Sequence, residues 1–109
     1  MSKRTIRPYV LAGVLLLCAA AGAAAQSKDA ERLYANAVRL HQAGDIENAI
    51  REYKAFLVLY PNTVEARSNL GAAYARLGRY EEAIEQYRQA LALDARNTPV
   101  RFNLALAYY

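Results

Sequence analysis

Residues 44–61 read GDIENAIREYKAFLVLYP, and residues 78–95 read GRYEEAIEQYRQALALDA. The two stretches are offset by 34 residues and share the pairs Gly44/Gly78, Glu47/Glu81, Ala49/Ala83, Ile50/Ile84, Tyr53/Tyr87, Leu57/Leu91 and Leu59/Leu93. A second match at the same offset joins residues 67–74 to residues 101–108. Self-similarity at such a period is typical of stacked structural repeats, so the period predicts the class of fold before any single residue does.

The first 25 residues have the pattern of a secretory signal peptide. A basic start precedes an apolar run over residues 9–25, which ends in three alanines. A positive first region, a short apolar core and an Ala-x-Ala site are the marks of such a peptide. We expect cleavage after Ala25, which would leave Gln26 as the first residue of an exported protein, periplasmic or secreted.

Two other interpretations of this segment stay open. As an uncleaved anchor, the run of 17 residues reaches only the lower limit for crossing a bilayer, and many of its residues are weakly hydrophobic alanines. The membrane contact would then be made by this segment alone. A bacterial lipoprotein signal has a small residue before the modified cysteine, whereas Leu17 precedes Cys18 here.

The formal net charge of +4 originates mostly in the predicted signal peptide. Lys3, Arg4 and Arg7 are three of the 14 basic residues, so residues 26–109 carry 11 basic and 10 acidic residues. The net charge of +1 is too small an excess to indicate binding to nucleic acid, and we expect no nucleic-acid partner. Cys18 is the only cysteine, so a mature domain without disulfides must be stabilised by its core.

Each 34-residue unit is predicted to contain two helices. Apolar residues recur with the period of an amphipathic helix, and no segment alternates with the period of a strand, so we expect an all-α protein. The predicted inward-facing residues are Leu33, Ala37, Val38, Leu40, Ile46, Ala49, Ile50, Tyr53, Phe56, Leu57 and Tyr60 in the first unit, and Leu70, Ala73, Tyr74, Leu77, Tyr80, Ala83, Ile84, Tyr87, Ala90 and Leu91 in the second.

Turn and capping residues mark the ends of these helices. Gly44 suits the left-handed residue that ends a helix, and Asp45 suits the cap of the next one. Pro61 is expected to end the second helix. Asn62, with Glu65 three residues later, is expected to cap the helix that follows.

The third unit stops after one predicted helix. Asn97 and the nearby Pro99 are a helix-start signal, and the chain then ends in the apolar LALAYY at residues 104–109. Because terminal repeats normally have a polar outer face, we expect this chain to be a fragment of a longer array. The alternative is a short capping helix whose aromatic end packs on Tyr87 and Leu91.

These residues resemble the tetratricopeptide repeat, a 34-residue helix–turn–helix unit. The resemblance covers about residues 29–109 and rests on Ala37, Leu40, Gly44, Ala49, Tyr53 and Pro61 in the first unit, and on Leu70, Gly71, Tyr74, Gly78, Tyr80, Ala83, Tyr87 and Ala90 in the second. It implies antiparallel helix pairs stacked as a short right-handed superhelical solenoid. It also implies that Gly71 and Ala83 lie where the two helices of a unit cross closely, with Tyr74 and Tyr87 around them.

The chain departs from the family's pattern at a few positions. Phe56 stands where the family prefers Ala, Ala95 stands where it prefers Pro, and Leu33 and Arg67 replace an early Trp. We expect these departures to change local packing and not the fold. The predicted organisation is a signal peptide at residues 1–25, a short linker at 26–29, repeats at 30–63 and 64–97, and the first helix of an incomplete repeat at 98–109.

The resemblance implies that the first helices of the units line a concave groove. The candidate groove residues are Tyr34, Val38, Asn69, Arg76 and Asn103. Asn69 and Asn103 lie one repeat apart, and in this family such a ladder of Asn can hydrogen-bond the backbone of an extended peptide, because an amide both donates and accepts. Tyr34 is the candidate aromatic anchor, and Arg76 is a candidate contact for an acidic ligand.

Some family members hold the C-terminal carboxylate of chaperones with a clamp of Lys and Asn on these helices. The corresponding positions here hold Tyr34, Val38, Ser68 and Ala72, which cannot form that clamp, so such a partner is not expected.

The residues needed for catalysis are also missing from the sequence. His41 is the only histidine, and no cysteine follows residue 18, so the usual nucleophile–base pair or His/Cys metal cluster cannot be built. No glycine-rich phosphate loop is present. We expect no enzyme activity, no cofactor and no metal site.

The sequence therefore predicts an exported interaction module that binds a peptide or a partner protein in its groove. The alternative is the N-terminal docking arm of a longer envelope-assembly factor or enzyme, whose working domain lies beyond Tyr109. The apolar C-terminal helix also makes self-association a hypothesis.

Overall fold

The structure, a computed structural model, describes the backbone of residues 8–109 and the side chains of residues 21–109. This part of the chain contains five α-helices and no strand, which confirms the all-α prediction: α1 Pro8–Gln42, α2 Ile46–Leu59, α3 Val64–Arg76, α4 Tyr80–Leu93 and α5 Thr98–Ala107. Residues 1–7, the basic start of the predicted signal peptide, lie outside the described residues, and cleavage after Ala25 stays a prediction. None of the described helices combines the length and the apolar character that crossing a membrane requires.

The helices form a solenoid in which each packs mainly on its neighbours in sequence. α1 packs on α2, α2 on α3, α3 on α4 and α4 on α5, and a smaller contact joins α3 to α5. The short turns make consecutive helices antiparallel. Residues 26–29, expected as a linker, are helical within α1, because they contain neither Gly nor Pro and continue an alanine-rich helix without interruption.

The turn inside each repeat is a left-handed glycine cap. Gly44 has φ +84° and Gly78 has φ +74°, as the sequence predicts, and Gly populates this region without the penalty of a Cβ. The N–H of Asp45 donates to the carbonyl of Leu40 at 2.9 Å, and the N–H of Gly44 donates to that of His41 at 3.1 Å. This pair of bonds is a Schellman motif, and the same pair recurs at Gly78, so both turns satisfy carbonyls at the helix end.

Two predicted N-cap residues occupy their positions and use their side chains differently. Asn97 caps α5, and its side-chain oxygen accepts from the N–H of Val100 at 3.1 Å. Asp45 precedes α2 but makes no side-chain cap; its carboxylate accepts from the Asn48 amide at 2.9 Å instead.

The predicted cap at Asn62 is wrong. α3 begins at Val64, so Thr63 is its N-cap residue, and the Thr63 side chain makes no cap bond. The Thr63 hydroxyl instead donates to the carbonyl of Tyr60 at 3.0 Å. That bond ties the start of α3 back to the end of α2 and so competes with capping.

The core follows the predicted stripes closely. Buried residues are Ala30, Ala37, Ile46, Ala49, Ile50, Tyr53, Leu57, Ala66, Leu70, Ala73, Tyr74, Ala83, Tyr87, Ala90 and Val100. Ala30, Ala66 and Val100 are buried positions that the sequence stripes do not include, and the last two lie one repeat apart. Val38, Leu40, Phe56 and Leu91 are partly buried and pack against this core.

Three predicted inward-facing residues are exposed. Leu77 is 38% exposed, Tyr60 is 42% exposed and Tyr80 is 52% exposed. Each lies at or beside a helix end, because α2 ends at Leu59, α3 ends at Arg76 and α4 begins at Tyr80. The helical period continues to these residues in the sequence, but no neighbouring helix covers them there.

The close contact between α3 and α4 confirms the role implied for Gly71. A Cβ on Gly71 would lie 2.7 Å from Cε1 of Tyr87, so the Tyr87 ring lies directly against the backbone of α3. The equivalent residues in the first repeat are Ala37 and Tyr53, both buried. The first crossing thus has room for one methyl group that the second lacks.

His41 joins three helices near the end of α1. Its Nδ1 lies 3.2 Å from the hydroxyl of Tyr53 on α2, and its backbone carbonyl accepts from Nη1 of Arg76 on α3 at 2.9 Å. Burial, and then the positive charge of Arg76, lowers the pKa of His41 below its usual 6.5. The folded protein therefore favours the neutral imidazole.

We predict that Gly71→Ala lowers the thermal unfolding midpoint. The added methyl group overlaps the Tyr87 ring, and overpacking of this kind costs about 1–3 kcal/mol, which outweighs the ~1 kcal/mol that Ala gains over Gly in a helix. Circular dichroism during heating measures the change. Both variants are made in the uncleaved, full-length chain. Gly22→Ala is then the control, because a Cβ at Gly22 meets nothing within 4 Å and the variant should be neutral or slightly stabilised; equal behaviour of the two variants would contradict the prediction.

We also predict that acidification below the ordinary His41 pKa of 6.5 reduces the free energy of unfolding. A depressed folded-state pKa means that the unfolded chain takes up the proton first. The stabilisation is complete above the unfolded pKa and is lost as the pH falls through the folded pKa. Urea unfolding at neutral pH and at about pH 5.5 measures this loss of stability. The loss should be smaller in the His41→Gln variant. An equal loss in the variant would show that other groups cause it.

Candidate functional site

The first helices of the repeats, α1, α3 and α5, share a side that carries two hollows between α3 and α5. One, of about 210 Å³, is lined by Ala72, Ala75, Tyr80, Tyr87, Asn103, Leu106 and Ala107. The other, of about 340 Å³, is lined by Val64, Glu65, Ser68, Asn69, Asp94, Asn97, Pro99 and Val100. Asn69 and Asn103, the predicted pair of amides, therefore line neighbouring hollows on this side.

Asn69 and Tyr34 are joined by a direct hydrogen bond. Nδ2 of Asn69 on α3 donates to the hydroxyl of Tyr34 on α1 at 2.9 Å. Asn69 is half-buried and keeps its amide oxygen and a second N–H for another partner. The bond links two predicted site residues that are 35 positions apart in the sequence. The 34-residue period of the repeat does not by itself indicate this contact.

The Tyr34 ring lies in an aromatic cluster. Its centroid is 5.2 Å from that of Phe56 and 6.1 Å from that of Tyr53, within the range of favourable aromatic pairs. Burial, and next the neighbouring Glu65 carboxylate, raises the pKa of the Tyr34 hydroxyl above its ordinary value. Tyr34 is therefore a neutral, half-buried side chain that the aromatic cluster holds in position.

Two other predicted groove residues, Arg76 and Val38, make contacts that stabilise the fold. Arg76 is exposed, and its guanidinium donates to the His41 carbonyl at the end of α1. That contact offsets the negative end of the α1 dipole and accounts for one donor of Arg76. Val38 is half-buried and packs against the core.

The C-terminal part of α5 leaves large apolar side chains at the surface. Phe102 is 63% exposed and Leu106 is 56% exposed. Tyr108 lies against Arg88, whose guanidinium carbon is 5.9 Å from the ring centroid, and it remains 57% exposed. The aromatic end of the chain is thus not buried as a cap, in contrast to the capping interpretation of the sequence.

Sequence reasoning missed a third hollow, of about 410 Å³, between α1, the end of α2 and the start of α3. Its lining includes Glu31, Tyr34, Phe56, Tyr60 and Glu65. Two features of the sequence could have indicated this hollow. Glu31 and Glu65 are one repeat apart, and Phe56 departs from the family's pattern.

The other side of α1 carries a larger open hollow, of about 650 Å³, lined by Asp29, Arg32, Leu33, Asn36 and Glu52. Arg32 and Asp29 form an ion pair with each other, so Glu52 is the charged residue of this lining that is not part of an ion pair among the described residues. Among the side chains of residues 21–109, no group of three or more His, Cys, Asp or Glu is placed to hold a metal ion.

Solved structures with the same fold include two proteins with bound peptides, SycD and Spaghetti. The Yersinia enterocolitica type III secretion chaperone SycD, in complex with a peptide of the translocator YopD, is 28% identical, with a TM-score of 0.68 over 71% of this chain and 59% of that one. The Sgt2 TPR domain from Aspergillus fumigatus is 26% identical, with a TM-score of 0.68 over 72% of this chain and 52% of that one. The first TPR of Spaghetti (RPAP3), bound to the HSP90 peptide SRMEEVD, is 23% identical, with a TM-score of 0.70 over 74% of this chain and 64% of that one.

The chain therefore spans about half to two thirds of the length of these structures. No curated protein sequence matches it. The family profile described as TPR repeat matches residues 38–78 and again residues 75–109, which together are more than half of the chain. With the left-handed glycine turns, the buried crossings and the stacked helix pairs, this match shows that the chain belongs to the tetratricopeptide repeat family.

Proposed function

We propose that this chain is a protein-interaction module that binds an extended segment of a partner protein along the side formed by α1, α3 and α5. The observation that carries the proposal is the pair of amides, Asn69 and Asn103, which line neighbouring hollows one repeat apart. The peptide complexes of SycD and of Spaghetti support it, because both proteins share this fold. The fold is a scaffold, and we propose no catalytic role for it.

The amides supply recognition that does not depend on the partner's side chains. Each amide both donates and accepts, so each can pair with one peptide unit of an extended backbone. Tyr34 holds the Asn69 amide through one of its N–H groups, which fixes its orientation before a partner arrives. Preorganisation of this kind reduces the entropy lost on binding.

The apolar residues beside the amides supply contact area. Leu106 lines the same hollow as Asn103, and Phe102 stands exposed on the same helix. Exposed apolar side chains next to half-buried amides are typical of a surface that a partner covers.

We predict that Asn69→Ala combined with Asn103→Ala weakens capture of the native partner roughly tenfold. Each lost hydrogen bond is worth about 0.5–1.5 kcal/mol, so the loss of one bond at each amide accounts for a change of this size. Helicity should stay intact because neither side chain belongs to the buried core. Quantitative capture from native cell extract, with circular dichroism of each variant, measures both properties.

Two controls separate binding from packing. Asn48→Ala removes an exposed amide that donates a hydrogen bond to the nearby Asp45 and lines neither hollow, so capture should not change. Tyr34→Phe removes the bond to Asn69 and keeps both amides, so it should cause a smaller loss than the double variant. Unchanged capture by the double variant would contradict the groove assignment.

We also propose that the protein is exported, on the support of the signal-peptide pattern in residues 1–25. The predicted mature protein starts at Gln26, and its mass in the native cell's envelope or secreted fraction should equal that of residues 26–109. Intact-mass spectrometry of each cell fraction measures this. A much larger mass would instead support the docking arm of a longer protein, and an uncleaved chain in the membrane fraction would support the anchor.

A further inference from the structure

The hollow between α1, α2 and α3 combines aromatic walls with two carboxylates. The ring centroids of Tyr34 and Phe56 are 5.2 Å apart, and those of Phe56 and Tyr60 are 5.8 Å apart. Glu31 and Glu65, both exposed, belong to the same lining. With a volume of about 410 Å³, the hollow has room for one long side chain of a partner.

No basic side chain of the described residues neutralises these two carboxylates. The ion pairs among the described residues are Arg32–Asp29, Arg79–Glu47 and Arg79–Glu82, and neither Glu31 nor Glu65 takes part in one. The charge of Glu65 reaches into the hollow, because it contributes, after burial, to the raised pKa of Tyr34.

The neighbouring hollow supplies an internal comparison. Glu65 also lines the equivalent hollow one repeat later, where Ser68 and Asp94 take the places of Tyr34 and Tyr60. Negative charge is therefore present in both hollows, whereas three aromatic rings occur only in the first. The first hollow differs from its neighbour in the feature that favours a cation over other groups.

Resting on the proposed function, we propose that the hollow formed by Glu31, Tyr34, Phe56, Tyr60 and Glu65 binds a basic side chain, arginine or lysine, of the partner segment in the groove. The faces of aromatic rings attract cations, and arginine also stacks on them. The carboxylates at the rim supply charge-assisted hydrogen bonds to the same group. An acidic side chain would be repelled by both carboxylates, and an apolar one would leave their charge uncompensated.

The experiment compares two blocked pentapeptides on the full chain by two-dimensional NMR titration, which detects weak binding. One peptide is Ser-Ala-Arg-Ala-Ser, and the other has citrulline, the uncharged isostere, in place of arginine. We expect the arginine peptide to shift resonances of Tyr34, Phe56 and Glu65, to bind roughly fivefold more tightly than the citrulline peptide, and to weaken as salt is raised.

A matched pair of variants tests the carboxylate. Glu65→Gln should reduce arginine-peptide binding roughly fivefold and leave citrulline-peptide binding unchanged. Glu81→Gln is the control, since Glu81 is likewise an exposed carboxylate in the first turn of a helix and lies outside the hollow. Circular dichroism confirms that both variants keep their helices.

Three outcomes would overturn the inference. Equal affinity for the two peptides would show that the hollow does not select a charge. Shifts confined to Asn69 and Asn103 would place the peptide elsewhere in the groove, which would leave the proposed function intact. The absence of any shift with the arginine peptide would also overturn the inference. The proposed function is tested independently, by the capture measurement on the Asn69→Ala and Asn103→Ala double variant.

Discussion

The close contact between a tyrosine ring on the second helix of a repeat and a small residue on the first is the constraint on which this structure depends. In the second repeat, Tyr87 lies against Gly71 so tightly that one added carbon would approach to 2.7 Å. Tyr53 and Ala37 are its counterparts in the first repeat, and both are buried. A large flat side chain fills the angle between two helices only if the facing residue is small, so each pair fixes its crossing and the distance to the next helix.

This packing leaves one side of the first helices, α1, α3 and α5, partly exposed. The candidate site lies on that side. Tyr34 belongs both to the packing between the helices and to the candidate site. Its ring packs on Tyr53 and Phe56, and its hydroxyl accepts a hydrogen bond from the Asn69 amide. Arg76 likewise joins α3 to the end of α1 through the His41 carbonyl. The surface for a partner is thus held by side chains that also stabilise the stack, and rigid elements of this kind position a site well.

Much of the fold could be predicted because its signals are local. Gly44 and Gly78 have the left-handed conformation that their positions indicate, and the stripe through Ala49, Ile50, Tyr53 and Leu57 is buried. Errors occurred at helix ends. Leu77 and Tyr80 continue the helical period but are exposed, and Thr63 stands where Asn62 was expected, because a period says nothing about where neighbouring helices stop covering a surface.

The sequence by itself determined the repeat length, the turns, the helix pairs and the row of amides at Asn69 and Asn103, since each depends on spacing along one chain. Only the tertiary structure decided which residues of different repeats meet. It brought Asn69 to Tyr34 across 35 positions, and it placed Glu31 and Glu65 on one aromatic hollow. The physical reason is that the contacts between repeats are set by how side chains fill the space between helices, and this arrangement is not contained in the period of any single helix.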